Sequence, residues 1–242
     1  MQTNNQTTYT LGKLQMYDEC PQKYKLCYID KVHIVEPISK TQTGTAIHNL
    51  INYYLKGMDV SKMVEALNSN EKKLWHNFKN SNISNYKFVD SEYAFNLKID
   101  EYWLSGRIDA LFEYDGDYII IDWKTGEKFT PDNVKFQTSF YLLCMYEILK
   151  LKGLLKKPEE LSLHYVDLAS DNAIRIGFDE DLYWNYKTQI LNIIRKINEN
   201  KNFFCNKTDN CKKCKYYRAA RERHVSFTGD GCGDTADASA LI

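Results

Sequence analysis

Residues 106–126, Gly-Arg-Ile-Asp-Ala-Leu-Phe-Glu-Tyr-Asp-Gly-Asp-Tyr-Ile-Ile-Ile-Asp-Trp-Lys-Thr-Gly, constrain this chain more than any other stretch. Two runs of strand-forming residues flank Asp115 and Gly116, a dipeptide that readily supplies the positive φ angles of a two-residue hairpin turn. With those two residues as the loop, Tyr114 pairs with Asp117, and counting back along both strands sets Asp109 opposite Asp122. Directly opposed residues have Cβ atoms roughly 4.5–5.5 Å apart, where like charges are destabilising unless compensated. A bound cation is the evident compensator. Alternation puts Lys124 on the face of Asp122, while Ile119, Ile121 and Trp123 point the other way, towards a core. A loop slipped to Gly116 and Asp117 would instead set Asp109 against Lys124 as a structural ion pair, which contributes little at a surface. The apolar run 119–121 favours the first register, because charges delivered at the end of a buried strand usually have a task.

The chain has 242 residues, enough for one sizeable α/β domain with its own core. Lys plus Arg and Asp plus Glu balance at 32 each, so no global positive field draws the protein to nucleic acid, although cations cluster at 212–223. No apolar run approaches the length of a membrane span, and no charged-then-apolar leader precedes Thr10, so the expectation is a soluble, cytoplasmic protein. Seven cysteines without a secretion signal argue against a disulfide framework and leave metal ligation open.

Residues 1–9 are polar and expected to fray. From Thr10 as N-cap, Leu11, Leu14 and Tyr17 recur at helical spacing, and Cys20-Pro21 breaks the pattern before Tyr24, Cys27 and Tyr28 resume it. A second helix beginning near Gly44 carries Ile47, Leu50, Ile51 and Tyr54 as its apolar stripe, with His48 on the flank. Residues 60–78 read as further helix, with Met63, Val64, Leu67, Leu74, Trp75 and Phe78 inward. A strand over 92–99 leads into the hairpin, and its spacing leaves the role of Glu92 open. Thr130 and Pro131 start a helix to about Leu151 that holds Gln137 and Tyr141 on one face. Strands at 161–167 and 173–178 and a long helix through Ile197 follow, with no internal repeat.

Taken together, Gly106-Arg-Ile-Asp109, Ile121-Asp-Trp-Lys-Thr-Gly126 and Gln137 with Tyr141 resemble the signature of PD-(D/E)XK nucleases of the RecB/AddB branch, which includes CRISPR-associated adaptation nucleases and phage exonucleases. The likeness runs in order from about Leu11 to Cys214. It implies a restriction-endonuclease-like α/β fold, a mixed β-sheet flanked by helices, and a DNA nuclease of exonuclease type encoded by a bacterium, archaeon or phage. It also implies that Gly44-Thr-Ala-Ile-His48 is the family's histidine motif. His48, Asp109, Asp122 and the backbone carbonyl of Trp123 would then hold Mg²⁺ or Mn²⁺, with Lys124 catalytic beside Asp109 and Asp122, and Gln137 and Tyr141 against the substrate strand. DNA is the implied partner, with a helicase or a CRISPR or recombination assembly as company. A subunit that binds DNA or acts as scaffold in such a complex without cutting is the alternative, which retention of Asp, Asp and Lys together disfavours.

Cys205, Cys211 and Cys214 crowd beside Lys212, Lys213 and Lys215, and Cys211-x-x-Cys214 is a spacing that chelates one metal from a single turn. The resemblance implies a fourth ligand in Cys20 and a [4Fe-4S] cluster that staples 10–30 to 203–218 in a small lobe of a single domain over 1–223. In those relatives the last ligand follows the Cys-x-x-Cys pair; here 215–221 holds no cysteine, so Cys205 takes that role from the other side. Structural Zn²⁺ on the same thiolates is the rival, either within the lobe or as a zinc-ribbon module, and a metal-free cluster is the third reading. Residues 224–242 turn to Gly, Asp, Ala, Ser and Thr and read as a disordered tail, with Cys232 incidental.

Overall fold

The computed structural model describes residues 7–34, 41–126, 130–170 and 172–218. The expected tail at 224–242, with Cys232, lies outside them. The elements run in the order β1 (Thr8–Thr10), α1 (Leu11–Glu19), α2 (Pro21–Tyr24), α3 (Thr41–Leu55), α4 (Ser61–Glu65), α5 (Ser69–Asn80), β2 (Lys87–Ile99), β3 (Tyr102–Tyr114), β4 (Asp117–Lys124), α6 (Pro131–Leu151), β5 (Leu161–Asp167), β6 (Asn172–Gly177) and α7 (Glu180–Glu199). Among the described residues no helix is long and apolar enough to cross a membrane. The chain divides into two compact units, Met1–Leu11 with Ile38–Ile190 and Gly12–Pro37 with Leu191–Ile242.

The first unit is built on a six-stranded mixed sheet in the order β1-β3-β4-β5-β6, with β2 also paired to β3. β3 runs antiparallel to β2 and β4 and parallel to β1, while β4 runs parallel to β5. The β3–β4 turn adopts the register with Tyr114 opposite Asp117. Asp115 at φ 52° and Gly116 at φ 87° supply the two left-handed positions that such a turn needs. The slipped register, with its Asp109–Lys124 pair, is therefore not formed.

β4 is buried on both faces from Tyr118 to Trp123. Ile119, Ile121 and Trp123 join Ala110 and Phe112 of β3 against Ile47 and Ile51 of α3 and Leu74 and Phe78 of α5. Each such aliphatic side chain taken from water contributes about 1.5–3 kcal/mol before conformational entropy is counted. The start of α5 is secured by a capping box: Asn68 Oδ1 accepts from the Asn70 and Glu71 amides, and Glu71 accepts from the Asn68 amide. On the opposite face α6 lies across the sheet, with Phe140 against Phe95 at 6.2 Å between ring centres and Thr138 Oγ1 3.0 Å from the Tyr165 hydroxyl. Gly106 makes that approach possible, since a Cβ there would fall 2.6 Å from Phe95 Cζ and 3.2 Å from Phe140 Cε1.

In the second unit the Tyr17 ring packs edge-on against Tyr24 and Phe203, and Tyr24 stacks on Phe203. The Tyr17 hydroxyl donates to the Lys196 carbonyl (3.0 Å) and accepts from Asn200 Nδ2 (2.7 Å). Asn206 Nδ2 donates to the Glu19 carbonyl at 2.7 Å, which sets the segment after α7 beside the residue preceding Cys20.

Several local expectations differ from the structure. Thr8–Thr10 is a strand parallel to β3 rather than a frayed end, because its backbone groups find partners at Trp103, Leu104 and Ser105. The histidine helix begins at Thr41, ahead of Gly44. Met63 is exposed, lying on the short α4 with no buried residue of its own.

Gly106→Ala is expected to lower folding stability by about 1–3 kcal/mol through overpacking against Phe95 and Phe140. Gly177→Ala, whose Cβ would meet nothing within 4 Å, should stay within about 0.5 kcal/mol of the parent. Urea midpoints of the two variants measure the difference.

Candidate active site at the end of strand β4

The β3–β4 pairing proceeds from Tyr114 opposite Asp117 to Ala110 opposite Ile121, which brings Asp109 and Asp122 to the next rung. On the other side of β3, Ser91 pairs with Ala110 and Tyr93 with Ile108, so Glu92 falls across from Asp109. Three carboxylates therefore stand abreast on β2, β3 and β4. Each has its own basic partner: Arg107 Nε lies 2.8 Å from Glu92 Oε2, His48 Nδ1 3.3 Å from Asp109 Oδ2, and Lys124 Nζ 2.6 Å from Asp122 Oδ1.

Asp109 Oδ2 also accepts the Trp123 amide at 2.9 Å, so the backbone of β4 fixes the carboxylate of β3. Trp123 itself turns its indole into the core beside Phe78. Asp122 is 5% exposed. Its Oδ2 accepts from Gln137 Nε2 at 2.7 Å, while Gln137 Oε1 accepts from Lys124 Nζ at 3.1 Å. One amide of α6 thus bridges the two charged side chains of Asp-Trp-Lys. Lys124 Nζ also sits 5.1 Å from the centre of the Tyr165 ring, a face that favours a cation. The Asp122 Oδ1 contact with Lys124 is close enough for an ion pair but lacks hydrogen-bond alignment, so this buried oxygen has no aligned donor among the described residues. Tyr141, one turn beyond Gln137, has its phenol pKa raised by burial and then by the Asp122 charge, against the Gln137 hydrogen bond.

Electrostatics follow from this crowding. Burial, then the Asp109 charge, push the Asp122 carboxyl up to about 6, and Lys124 and His48 offset them only in part. Burial opposes a charge on His48, but the Asp109 hydrogen bond and charge, with Asp122 and Glu92 behind it, prevail and raise its pKa above the ordinary value. His48 is held where it is by α3, whose Gly44 approaches the segment after β4: a Cβ there would lie 3.0 Å from Thr125 Oγ1.

His48, Glu92 and Asp109 each offer a ligand atom within 4.8 Å of the other two. They line a cleft of about 210 Å³ together with Thr45 and Arg107. One imidazole with carboxylate oxygens suits a hard divalent cation. Asp122 does not share the three-residue group, because its oxygens are turned to Lys124 and Gln137.

Glu92 was not assignable from the sequence. The β2–β3 register runs unbroken from Ile99 opposite Tyr102 past Glu92, but the turn that would start such a count, Asp100 and Glu101, carries no glycine to mark it, and the φ of Glu92 is itself 51°. A non-glycine residue there costs about 1–3 kcal/mol, more than the ~0–1 kcal/mol that a surface ion pair with Arg107 returns.

In the second unit, the Cys205 and Cys211 sulfurs lie 3.7 Å apart. The Lys23 ammonium has its pKa raised: desolvation opposes the charge, and Glu19, then Cys214 and Cys20, outweigh it. Cys205 takes part in a disulfide. Cys27, expected in the core, is half-buried and hydrogen-bonded to Tyr216.

A mixed sheet that presents Asp109, Asp122-x-Lys124 and a helix-borne histidine at one end of its central strands defines the restriction-endonuclease-like class. The chain belongs to the PD-(D/E)XK nuclease superfamily, whose model matches residues 8–219. Among solved structures it is similar to a protein of Eubacterium rectale named as a candidate exonuclease, at 10% identity and TM-score 0.53, over 84% of this chain and 86% of that one. The protein SSO0001 aligns over 89% of this chain and 85% of its own at 15% identity, with a TM-score of 0.41 that carries no weight. No curated protein matches the chain. The first likeness agrees with the fold, and the superfamily makes the chain a nuclease that works with divalent metal.

The raised pKa of Asp122 has a sign for stability. Its folded value of about 6 exceeds an unfolded value of about 4, so the folded state holds the extra proton between those limits. Stability from this group is present below about pH 4 and is lost as pH rises through 6. In chelator-treated protein, Asp122→Asn should equal the parent near pH 4 and exceed it above pH 6, by up to ~3 kcal/mol. Urea unfolding at pH 4, 6 and 7.5 reads this, and a variant less stable than the parent at pH 7.5 would make the Asp122–Lys124 pair net stabilising.

Proposed function

We propose that the protein is a Mg²⁺- or Mn²⁺-dependent deoxyribonuclease of the RecB/AddB type, acting as an exonuclease. The observation that carries the reading is the convergence of Asp109, Asp122, Lys124 and Gln137 at the end of one buried strand, with His48 facing Asp109. His48, Asp109, Asp122 and the Trp123 carbonyl would hold the ion, with Glu92 beside His48 and Asp109 as a further ligand and Asp122 turning from Lys124 and Gln137 to reach it. Such an ion supplies Lewis-acid stabilisation of charge on a phosphate and acidifies water beside it. Lys124 keeps an ammonium beside the scissile bond, where it orients the attacking water and meets negative charge as it develops. Gln137 holds Lys124 and Asp122 at fixed separation, and Tyr141 extends the same helix face towards the strand. His48 must lose its proton to ligate, so acid competes with metal at this site.

End-labelled single- and double-stranded DNA incubated with Mg²⁺ or Mn²⁺ tests the reading. Stepwise shortening from an end is expected, and Asp109→Asn and Asp122→Asn should both abolish it. Binding without cleavage by the parent would identify instead an inactive DNA-binding subunit. Lys124→Ala should lower kcat by about 10²-fold or more while changing DNA affinity little. Equal losses in rate and affinity would make Lys124 an ordinary phosphate contact.

The proposal extends to the second unit, where Cys20, Cys205, Cys211 and Cys214 would hold a [4Fe-4S] cluster of structural role. In support, Asn206 is bonded to Glu19, Cys205 approaches Cys211, and Cys20 and Cys214 both act on Lys23. Soft thiolates suit iron-sulfur clusters and zinc alike. The disulfide at Cys205 has to be reduced before that sulfur ligates. Zinc is the second reading on a specific ground: 3.7 Å between sulfurs is close to the edge of a tetrahedron with Zn–S bonds of about 2.3 Å. Protein purified under reducing, anaerobic conditions is expected to be brown and to contain iron and sulfide, and Cys20→Ser should lower both colour and melting temperature. Stoichiometric zinc without sulfide would replace the cluster by a zinc staple.

A further inference from the structure

Arg107 sits on β3, two residues before Asp109 and so on the same face, at the cleft that His48, Glu92 and Asp109 line. It is the only lysine or arginine among the residues lining that cleft. Its side chain is 66% exposed, whereas that of Glu92 is 19% exposed. Among the described residues its one ion-pair or hydrogen-bond contact runs from Nε to Glu92 Oε2. The guanidinium is therefore gripped on one side, and the end formed by Nη1 and Nη2 is left without a partner there. Lys124, the other cation of the site, is already committed to Asp122 and Gln137.

A solvated ion pair of purely structural use would account for the contact but not for its setting. Glu92 occupies a left-handed backbone position whose cost exceeds what such a pair returns, and it is the more buried of the two. The strain positions the carboxylate, and the carboxylate positions the arginine. A planar fork held by Nε, with two parallel N–H groups pointing outward, is the geometry that accepts two oxygens of a phosphate.

We propose that Arg107 anchors one phosphodiester of the substrate strand next to the scissile bond, with Glu92 as its positioning residue. This rests on the nuclease reading above and adds to it the contact that holds the strand against the cleft. Lysine cannot replace it fully, since an ammonium is a point charge without the fork.

The test uses the full chain with Ca²⁺ in place of Mg²⁺ and a set of oligonucleotides that each carry a single neutral methylphosphonate. In the parent, one position beside the cut should bind about tenfold more weakly, the loss of one charge-assisted contact. Arg107→Ala should bind unmodified DNA weaker by the same factor and show no further penalty at that position, and Arg107→Lys should recover only part of the loss. Mn²⁺ affinity of Arg107→Ala, by calorimetry, should be unchanged or tighter because Glu92 is released, with the melting temperature unchanged. An identical methylphosphonate profile in parent and Arg107→Ala overturns the inference, as does a loss of Mn²⁺ affinity as large as the loss for DNA. A parent that cuts DNA while Arg107→Ala binds equally well sinks only the anchor. A parent that neither binds nor cuts DNA sinks the nuclease reading and the anchor with it.

Discussion

The rest of the site depends on the apposition of acidic groups across three neighbouring strands. Glu92, Asp109 and Asp122 occupy one rung, and nothing in β-sheet energetics favours carboxylates side by side. The protein offsets this one pair at a time, through Arg107, His48 and Lys124, and through the Trp123 amide at Asp109. The offset is incomplete where burial is deepest, and Asp122 shows it in a carboxyl pushed up to about 6 and an oxygen without an aligned donor. A fold under selection for stability alone has apolar side chains available for such a rung, as the flanking Ile120, Ile121 and Ala110 demonstrate. The acids are therefore better explained by chemistry than by packing.

Two glycines set the distances on which that chemistry depends. Gly106 lets α6 close on β3, and α6 carries Gln137 to the Asp122–Lys124 pair. Gly44 lets the start of α3 come within reach of Thr125, and α3 carries His48 to Asp109. Both helices are rigidly packed, α3 through Ile47 and Ile51 and α6 through Phe140 and Thr138, so the polar groups sit on elements rather than on loops. Side chains supported in this way hold their geometry before substrate arrives, which is where preorganised catalysis draws its advantage.

How much of this was legible in the sequence follows from which interactions are local. The hairpin could be counted residue by residue because Asp115 and Gly116 accept positive φ, and one turn type sets the face of every side chain on both strands. Gln137 and Tyr141 share a face by helical period. Beyond that hairpin the counting stops: Glu92 is in register with the turn at Asp100 and Glu101, but that turn has no glycine to announce it, and a left-handed backbone leaves no signature in a glutamate. β1 escaped because three residues, Thr8 to Thr10, carry no readable alternation, and their strand character comes from the edge of β3 that they complete. The approach of Asn206 to Glu19 spans the whole length between them and is invisible to any local pattern; only the resemblance of the cysteines to a known arrangement pointed there.

Charge balance in the cleft decides how cation and substrate depend on one another. The chain as a whole is neutral, with 32 charges of each sign, and the rung itself opposes three acids with Lys124, Arg107 and a histidine of raised pKa. A phosphodiester strand approaching this surface finds little net attraction, since each local cation is already answered by a carboxylate. Any divalent cation taken up among His48, Glu92 and Asp109 shifts that balance towards positive, and by linkage the factor by which it strengthens phosphate binding is the factor by which bound phosphate strengthens its own retention. Proton, metal and phosphate therefore compete for or reinforce the same few side chains. A neutral protein with paired acids offers a polyanion little net attraction until a cation charges its site, a dependence that would tie binding of a phosphodiester to binding of the metal.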